Sequence, residues 1–167
     1  MELTDICTLE EWVTLENELF EQFKFQGFVF NPQGIRITET KNSANPLCPA
    51  IKALENGQTF ICSSAHSNMT QAVKASKKSM MEGCDAGFAK WVVPVHVEGE
   101  FLGVVGGCGM VLEGEEVDTF AINKIAGMDA SEAAELAPRV PVTSQANMEA
   151  AVAHAEKRIQ DLIQSKK

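Results

Sequence analysis

The segment Phe88 to Leu112, FAKWVVPVHVEGEFLGVVGGCGMVL, limits the possible folds more than any other stretch. Two runs rich in β-branched and aromatic residues, 88–97 and 101–112, flank Glu98-Gly99-Glu100. Gly99 supplies the permissive backbone that a tight reversal needs, so the pair reads as an antiparallel β-hairpin. Pro94 has no N–H to give to a ladder and therefore belongs at an edge or an irregularity. Gly103, Gly106, Gly107 and Gly109 weaken the second run by propensity and mark a bulge or the close approach of a ligand or another backbone. A second hairpin is expected upstream, with strands at about 25–30 and 35–40 joined by Asn31-Pro32-Gln33-Gly34.

The remaining segments read as helices and loops. Thr8 and Glu11 have capping-box spacing, and Trp12, Leu15, Leu19, Phe20 and Phe23 form one apolar stripe behind them. Residues 41–49 are polar and proline-punctuated, a loop, followed by a short helix over 49–56 that Gly57 closes. From Cys62 to Met81 a helical face carries Ala65, His66, Met69, Ala72, Val73, Ser76 and Met80. Short helices are expected at 117–126 and 130–137, and a long amphipathic one from Ser144 to Gln164. The order helix, hairpin, helices, hairpin, helices lacks the alternation of a parallel sheet. It implies an α+β fold, an antiparallel sheet flanked by helices, with helices at both ends of the chain. A length of 167 residues suits one domain over 1–167, with a core at about 8–137 and the terminal helix at about 144–164.

Composition narrows the function. The net charge is −9, which argues against nucleic acid as a partner, because phosphate neutralisation needs surplus lysine and arginine. No apolar run approaches the roughly 18–20 residues needed to span a bilayer, and the polar, acidic start MELTDICTLEEW does not resemble a signal peptide. Both point to a cytoplasmic protein away from the membrane. The five cysteines, Cys7, Cys48, Cys62, Cys84 and Cys108, are an odd number without a C-x-x-C pair. In a cytoplasmic chain that suggests buried thiols, a metal site or a reactive thiol rather than a disulfide framework.

Catalytic signatures such as G-x-S-x-G, a P-loop or H-E-x-x-H are absent. His66 lies four residues after Cys62 on the same helical face, a spacing that can bind a metal or lower a thiol's pKa. A hydrogen-bonded histidine beside an inert cysteine is the simpler account. His96 reads as a strand-face residue and His154 as solvated. Cys48, Cys62, Cys84 and Cys108 all fall at segment ends, which can converge on one pocket. Four thiolates can also hold zinc or an iron–sulfur cluster, while buried free cysteine is common in any core. Asp85, beside Ala86-Gly87, can accept hydrogen bonds from a hydroxylated ligand, ligate a cation, or form an Asx turn.

An ordered set of motifs resembles the PocR sensory domain: N-P-L-C at 45–48, a cysteine at 62, C-D-A-G at 84–87, V-V-P-V at 92–95, E-G-E-F-L-G at 98–103 and G-G at 106–107. That family runs N-P-x-C, a helix-associated cysteine, C-H-A-G-L, a strand with V-P-I, D-G-x-x-L-G and G-G-Q. The resemblance spans about residues 8–125. It implies a PAS/GAF-like ligand-binding domain, usually attached to histidine kinases, chemoreceptors or transcription regulators of anaerobic bacteria, that senses small organic molecules such as diols and hydrocarbon derivatives. By the same resemblance, Cys48, Cys62, Cys84, Ala86 and Gly87 match positions that line or shape a pocket. Asp85 replaces the family's histidine, and Cys108-Gly109 replace glycine or glutamine, so the ligand is not inherited.

The expectation is a non-catalytic cytoplasmic sensory domain for signal transduction. Its ligand site is built from Cys48, Cys62, His66, Cys84, Asp85, Ala86, Gly87, Gly107 and Cys108, and no cofactor is required. Its partners are a small organic ligand and either a second copy or a signalling protein in trans. Two alternatives stand beside it: a metal or iron–sulfur sensor using Cys48, Cys62, Cys84 and Cys108, and a GAF-like thiol reductase pairing Cys84 with Cys108 or Cys48.

Overall fold

In the computed structural model, which describes all 167 residues, the hairpin forms as the sequence requires. β3 (Ala89–Val97) pairs antiparallel with β4 (Glu100–Leu112). Glu98 and Gly99 both take positive φ, 52° and 88°, the backbone of a type I′ turn. β1 (Gln26–Phe30) adds to the far edge of β4, and β2 (Met80–Gly83) to the far edge of β3. The resulting order β1-β4-β3-β2 is antiparallel throughout, and a short β5 (Val142–Thr143) pairs parallel with the end of β4. β2 begins at Met80 opposite Val92 and runs away from Pro94, which therefore has no ladder neighbour on that side, as its missing N–H demands.

Around the sheet run α1 (Leu3–Ile6), α2 (Leu9–Phe23), α3 (Leu47–Lys52), α4 (Glu55–Gly57), a π-helical turn (Gln58–Ser63) and α5 (Ser64–Ser76). After β4 come α6 (Thr119–Ala121), a second π turn (Ile122–Ala126), α7 (Ala130–Leu136), a 3₁₀ turn (Ala137–Arg139) and α8 (Gln145–Lys166). The fold is α+β, with helices at both ends of the chain. No helix is long and apolar enough to cross a membrane.

Side chains alternate across β3 and so serve two cores. Trp91, Val93 and Val95 join Trp12, Leu15 and Leu19 of α2 and Met148, Ala151, Ala155 and Ile159 of α8 in a buried cluster of 20 residues. At about 1.5–3 kcal/mol for each large apolar side chain removed from water, this face dominates the stability. Thr8 and Glu11 make the capping box at the start of α2. Gly107 leaves room for Trp91 here: an added Cβ would lie 2.7 Å from the indole. The opposite face holds two smaller clusters, of 12 and 5 buried residues, under α3, the π turns and α5.

Three expectations are corrected. Residues 35–40 form no second strand: a single bridge joins Phe30 to Arg36, and β1 pairs with β4 instead. The cause is Glu16, fully buried on α2, whose carboxylate accepts from Thr38, Thr40 and Arg36 and pulls the segment off an extended path. The helix expected to reach Met81 stops at Ser76, where Lys77 turns left-handed (φ 59°), and 80–83 becomes β2. His154 is not solvated, since its Nε2 lies 2.8 Å from Glu18 and its ring meets Phe23.

Candidate functional site

The sheet face away from α8 is not filled continuously. Gln26, Phe28, Lys90, Val92, Val104 and Cys108 point toward α3 and α5, and Gly106 makes room there, since an added Cβ would lie 2.3 Å from the Phe28 ring. Opposite stand Cys48, Ile51 and Lys52 of α3, Ile61 and Cys62 of the first π turn, and His66 of α5, while Cys84 and Phe88 close one end. Together they enclose an inner chamber of about 30 Å³. Gln26, Lys52, His66 and Cys108 also line an adjoining outer hollow of about 320 Å³, bounded by Phe30, Arg36 and Lys41. The wider i→i+5 π turn, which recurs at functional sites, is what carries Ile61 and Cys62 to the chamber.

The polar atoms of the walls are held in place. Asn45 Oδ1 accepts from the N–H groups of Leu47 and Cys48, both at 2.8 Å, which starts α3 two residues earlier than expected. Its Nδ2 donates to the Gly109 carbonyl at 2.6 Å and to Cys48 Sγ at 3.3 Å, tying α3 to β4. Gln26 Nε2 donates to Cys108 Sγ at 3.4 Å while its Oε1 accepts from the Ala44 N–H. The N-P-L-C motif is therefore a clamp that sets one cysteine against the sheet.

At the floor lies Lys90, 2% exposed. Its Nζ is 2.6 Å from His66 Nδ1 and 5.0 Å from the centre of the Phe28 ring. Phe28 and Phe30 meet the His66 ring edge-on, each at 4.6 Å. Burial lowers the Lys90 pKa, since the charged form loses its hydration. Burial, reinforced by Lys90, pushes the His66 pKa down to about 2, so its imidazole is neutral. Burial also raises the Cys48 thiol to about 12 and raises Cys62 and Cys84. These thiols are protonated at neutral pH, and a protonated thiol is not a nucleophile.

Cys48, Cys62, His66, Cys84 and Cys108 are thus brought to one chamber. The other sequence candidates are not. Asp85 is exposed in the turn before β3 and lines no wall of the chamber. Ala86 is buried in the cluster under α7. Gly87 takes φ 89° where a Cβ would meet the Glu116 carbonyl at 2.3 Å, so it shapes the loop. Gly107 faces the α2/α8 core. No group of three His, Cys, Asp or Glu side chains stands close enough to hold a metal ion. Lys90 was missed, although a signal existed: it shares strand parity with Val92, opposite Trp91 and Val93, and so had to face inward on one side.

A family model described as the sensory domain found in PocR matches residues 5–167. No curated protein and no solved structure matches the chain.

Proposed function

Because the chain belongs to the family of sensory domains found in PocR, we propose that residues 1–167 act as one non-catalytic, cytoplasmic sensory domain that binds a small organic molecule. The carrying observation is the inner chamber, closed by Cys84 and Phe88 and adjoining a larger hollow, with its polar groups already fixed by Asn45 and Gln26. Ligand sites are mostly pre-formed, largely apolar and oriented by a few polar atoms. The protonated thiols line the chamber as small apolar groups, which suits an organic occupant and opposes the thiol-reductase reading.

The route for a signal is β3. Lys90 and Val92 meet the chamber side, while Trp91 and Val93 meet the α8 side, so a ligand that moves the strand also moves the packing of α8. Such a shift acts on a second copy or on a signalling protein in trans. A net charge of −9 supports protein over nucleic acid as that partner.

Native mass spectrometry of the purified protein, with thermal shift against diols, alcohols, aldehydes and carboxylates, tests this reading. A ligand at 100 times its Kd stabilises by about 2.7 kcal/mol, a rise of about 5–10 °C for a chain of this size. If no co-purified mass and no stabiliser emerge, the reading fails.

A further inference from the structure

Lys90 is almost wholly buried, yet none of the protein's ion pairs includes it. Its hydrogen-bond partner is an uncharged imidazole. An ammonium in that position lacks a counter-charge, and buried cations without one are rare because their lost hydration goes uncompensated. The charge balance around it is also reversed relative to the whole chain. The sequence holds 23 acidic and 14 basic side chains. No aspartate or glutamate lines either the chamber or the outer hollow, whereas Lys90, Lys52, Lys41 and Arg36 do. Arg36 is committed to Glu16 at 3.2 Å, but Lys41, Lys52 and Lys90 are unpaired.

Taking the ligand-binding reading above as its basis, we propose that the occupant is a small organic carboxylate whose anionic end lies against Lys90 in the inner chamber, and whose hydrocarbon part runs past Cys108 and His66 into the outer hollow beside Phe28 and Phe30, with Lys52 at the mouth. The carboxylate supplies the missing counter-charge, and an N⁺–H···O⁻ bond is the strong class of hydrogen bond. A neutral diol would leave the ammonium uncompensated. A phosphate would bring more charge and more acceptor oxygens than one lysine can satisfy, with the arginine already engaged. The inner chamber's volume, about 30 Å³ against about 10–15 Å³ per water-sized group, suits the two or three heavy atoms of the carboxylate itself, and the rest of the molecule has the adjoining outer hollow of about 320 Å³.

The test uses the full chain and matched probes: acetate, propionate and butyrate against propionamide, 1-butanol and 1,2-propanediol, each with sodium chloride at equal ionic strength. Thermal shift and calorimetry are read on wild type, Lys90→Met, Lys90→Gln and Lys52→Gln. The expected result is saturable stabilisation by at least one carboxylate and none by propionamide or by salt. Affinity should fall at least tenfold in either Lys90 variant and a few-fold in Lys52→Gln, so that one misfolded variant does not decide the outcome. If a neutral alcohol, diol or amide binds and the carboxylates do not, the carboxylate assignment is overturned while the ligand-binding reading stands. Carboxylate binding that survives both Lys90 variants overturns the role of Lys90. Silence from every probe removes the carboxylate assignment, and with no co-purified mass it removes the ligand reading as well.

Discussion

Replacing Lys90 by methionine should stabilise the ligand-free protein. Methionine keeps nearly the volume and length of the lysine stem and removes only the amine. The variant loses the contact to His66 Nδ1, about 1 kcal/mol, and leaves that nitrogen short of a partner at a further cost of about 1–3 kcal/mol. The further cost falls toward its lower end because His66 also borders the outer hollow, where water can reach it. Against this stands the burial of an amine at 2% exposure without an acidic partner, a penalty of several kcal/mol. The balance is a gain of about 1–3 kcal/mol, or about 2–12 °C in Tm. The gain should depend on pH in a defined sense. Burial holds the Lys90 pKa below 10.5. Between the lowered value and 10.5 the unfolded chain therefore carries a proton that the folded one lacks, and wild-type stability rises with pH. Methionine lacks this dependence, so the advantage of the variant is largest below the folded pKa and shrinks as pH rises toward 10.5. The other groups facing Lys90 are His66, Cys62, Cys84, Cys108 and Lys52, and Lys90→Met leaves all of them in place. Urea unfolding followed by Trp12 and Trp91 fluorescence from about pH 7 to 10 measures both quantities. A Lys90→Met protein less stable than wild type at pH 7, or an advantage that grows with pH, would refute the reasoning.

Three further outcomes are expected. His66 has a folded pKa near 2 against 6.5 unfolded, so its contribution is complete above pH 6.5 and is lost as pH falls, with about 6 kcal/mol as the ceiling at about 1.4 kcal/mol per unit. Partial solvent access should bring the observed loss to about half that, seen as the difference between wild type and His66→Gln in acid titrations of the urea midpoint, and parallel curves for the two proteins would sink the claim. Asn45→Ala should cost about 2–4 kcal/mol through the lost bonds to the Leu47 and Cys48 N–H groups and to Gly109, and Asn45→Asp should cost at least as much, because a buried carboxylate oxygen would face the Gly109 carbonyl; an Asn45→Ala loss below about 1 kcal/mol would mean that these bonds do not hold α3. Cys48, Cys62 and Cys84 should react with a thiol reagent at about pH 8 at least tenfold more slowly in the native protein than in urea, and fast native labelling of any of them would contradict their raised pKa values.

Local signals in the sequence predicted local structure well. Thr8 and Glu11 mark the start of α2 because a capping box is a contact between near neighbours. Glu98-Gly99 marks the hairpin because a type I′ turn is set by two residues. The motif set found Cys48, Cys62 and Cys84, the segment-end positions added Cys108, and the chamber collects all four. What escaped was non-local. The second upstream strand is lost to Glu16, about twenty residues away, whose buried carboxylate outweighs the β propensity of 35–40. β2 escaped because Met80-Met81-Glu82-Gly83 is a short, largely exposed edge with no apolar alternation, and Met80 happens to fall in helical phase with Val73. Asp85 drew notice by type and by its place in C-D-A-G, yet a turn residue at the end of a strand can face either way, and here it faces water. Lys90 is the reverse case: its type argued for the surface, and only the parity of β3 placed it inside.

The position of the site follows from how the apolar residues are divided. The α2/α8 face holds one continuous cluster of 20 buried residues, while the other face splits into clusters of 12 and 5. The chamber lies along that split: Cys48, Ile51, Ile61 and Phe88 border it from the larger of the two, and Cys108 is packed against the smaller. A filled seam would add apolar burial at about 25 cal/mol per Å² and leave nothing for a ligand to supply. Lys90 lies in that seam at 2% exposure, so its ammonium is already cut off from water and is the group there that lacks compensation. The continuous core sets the stability of the chain, and the interrupted one provides a place where an occupant can still lower the free energy. A ligand can shift a conformational equilibrium only by its differential interaction with the two states. On the proposed reading that difference is concentrated at Lys90, one residue along β3 from the Trp91 of the α2/α8 core.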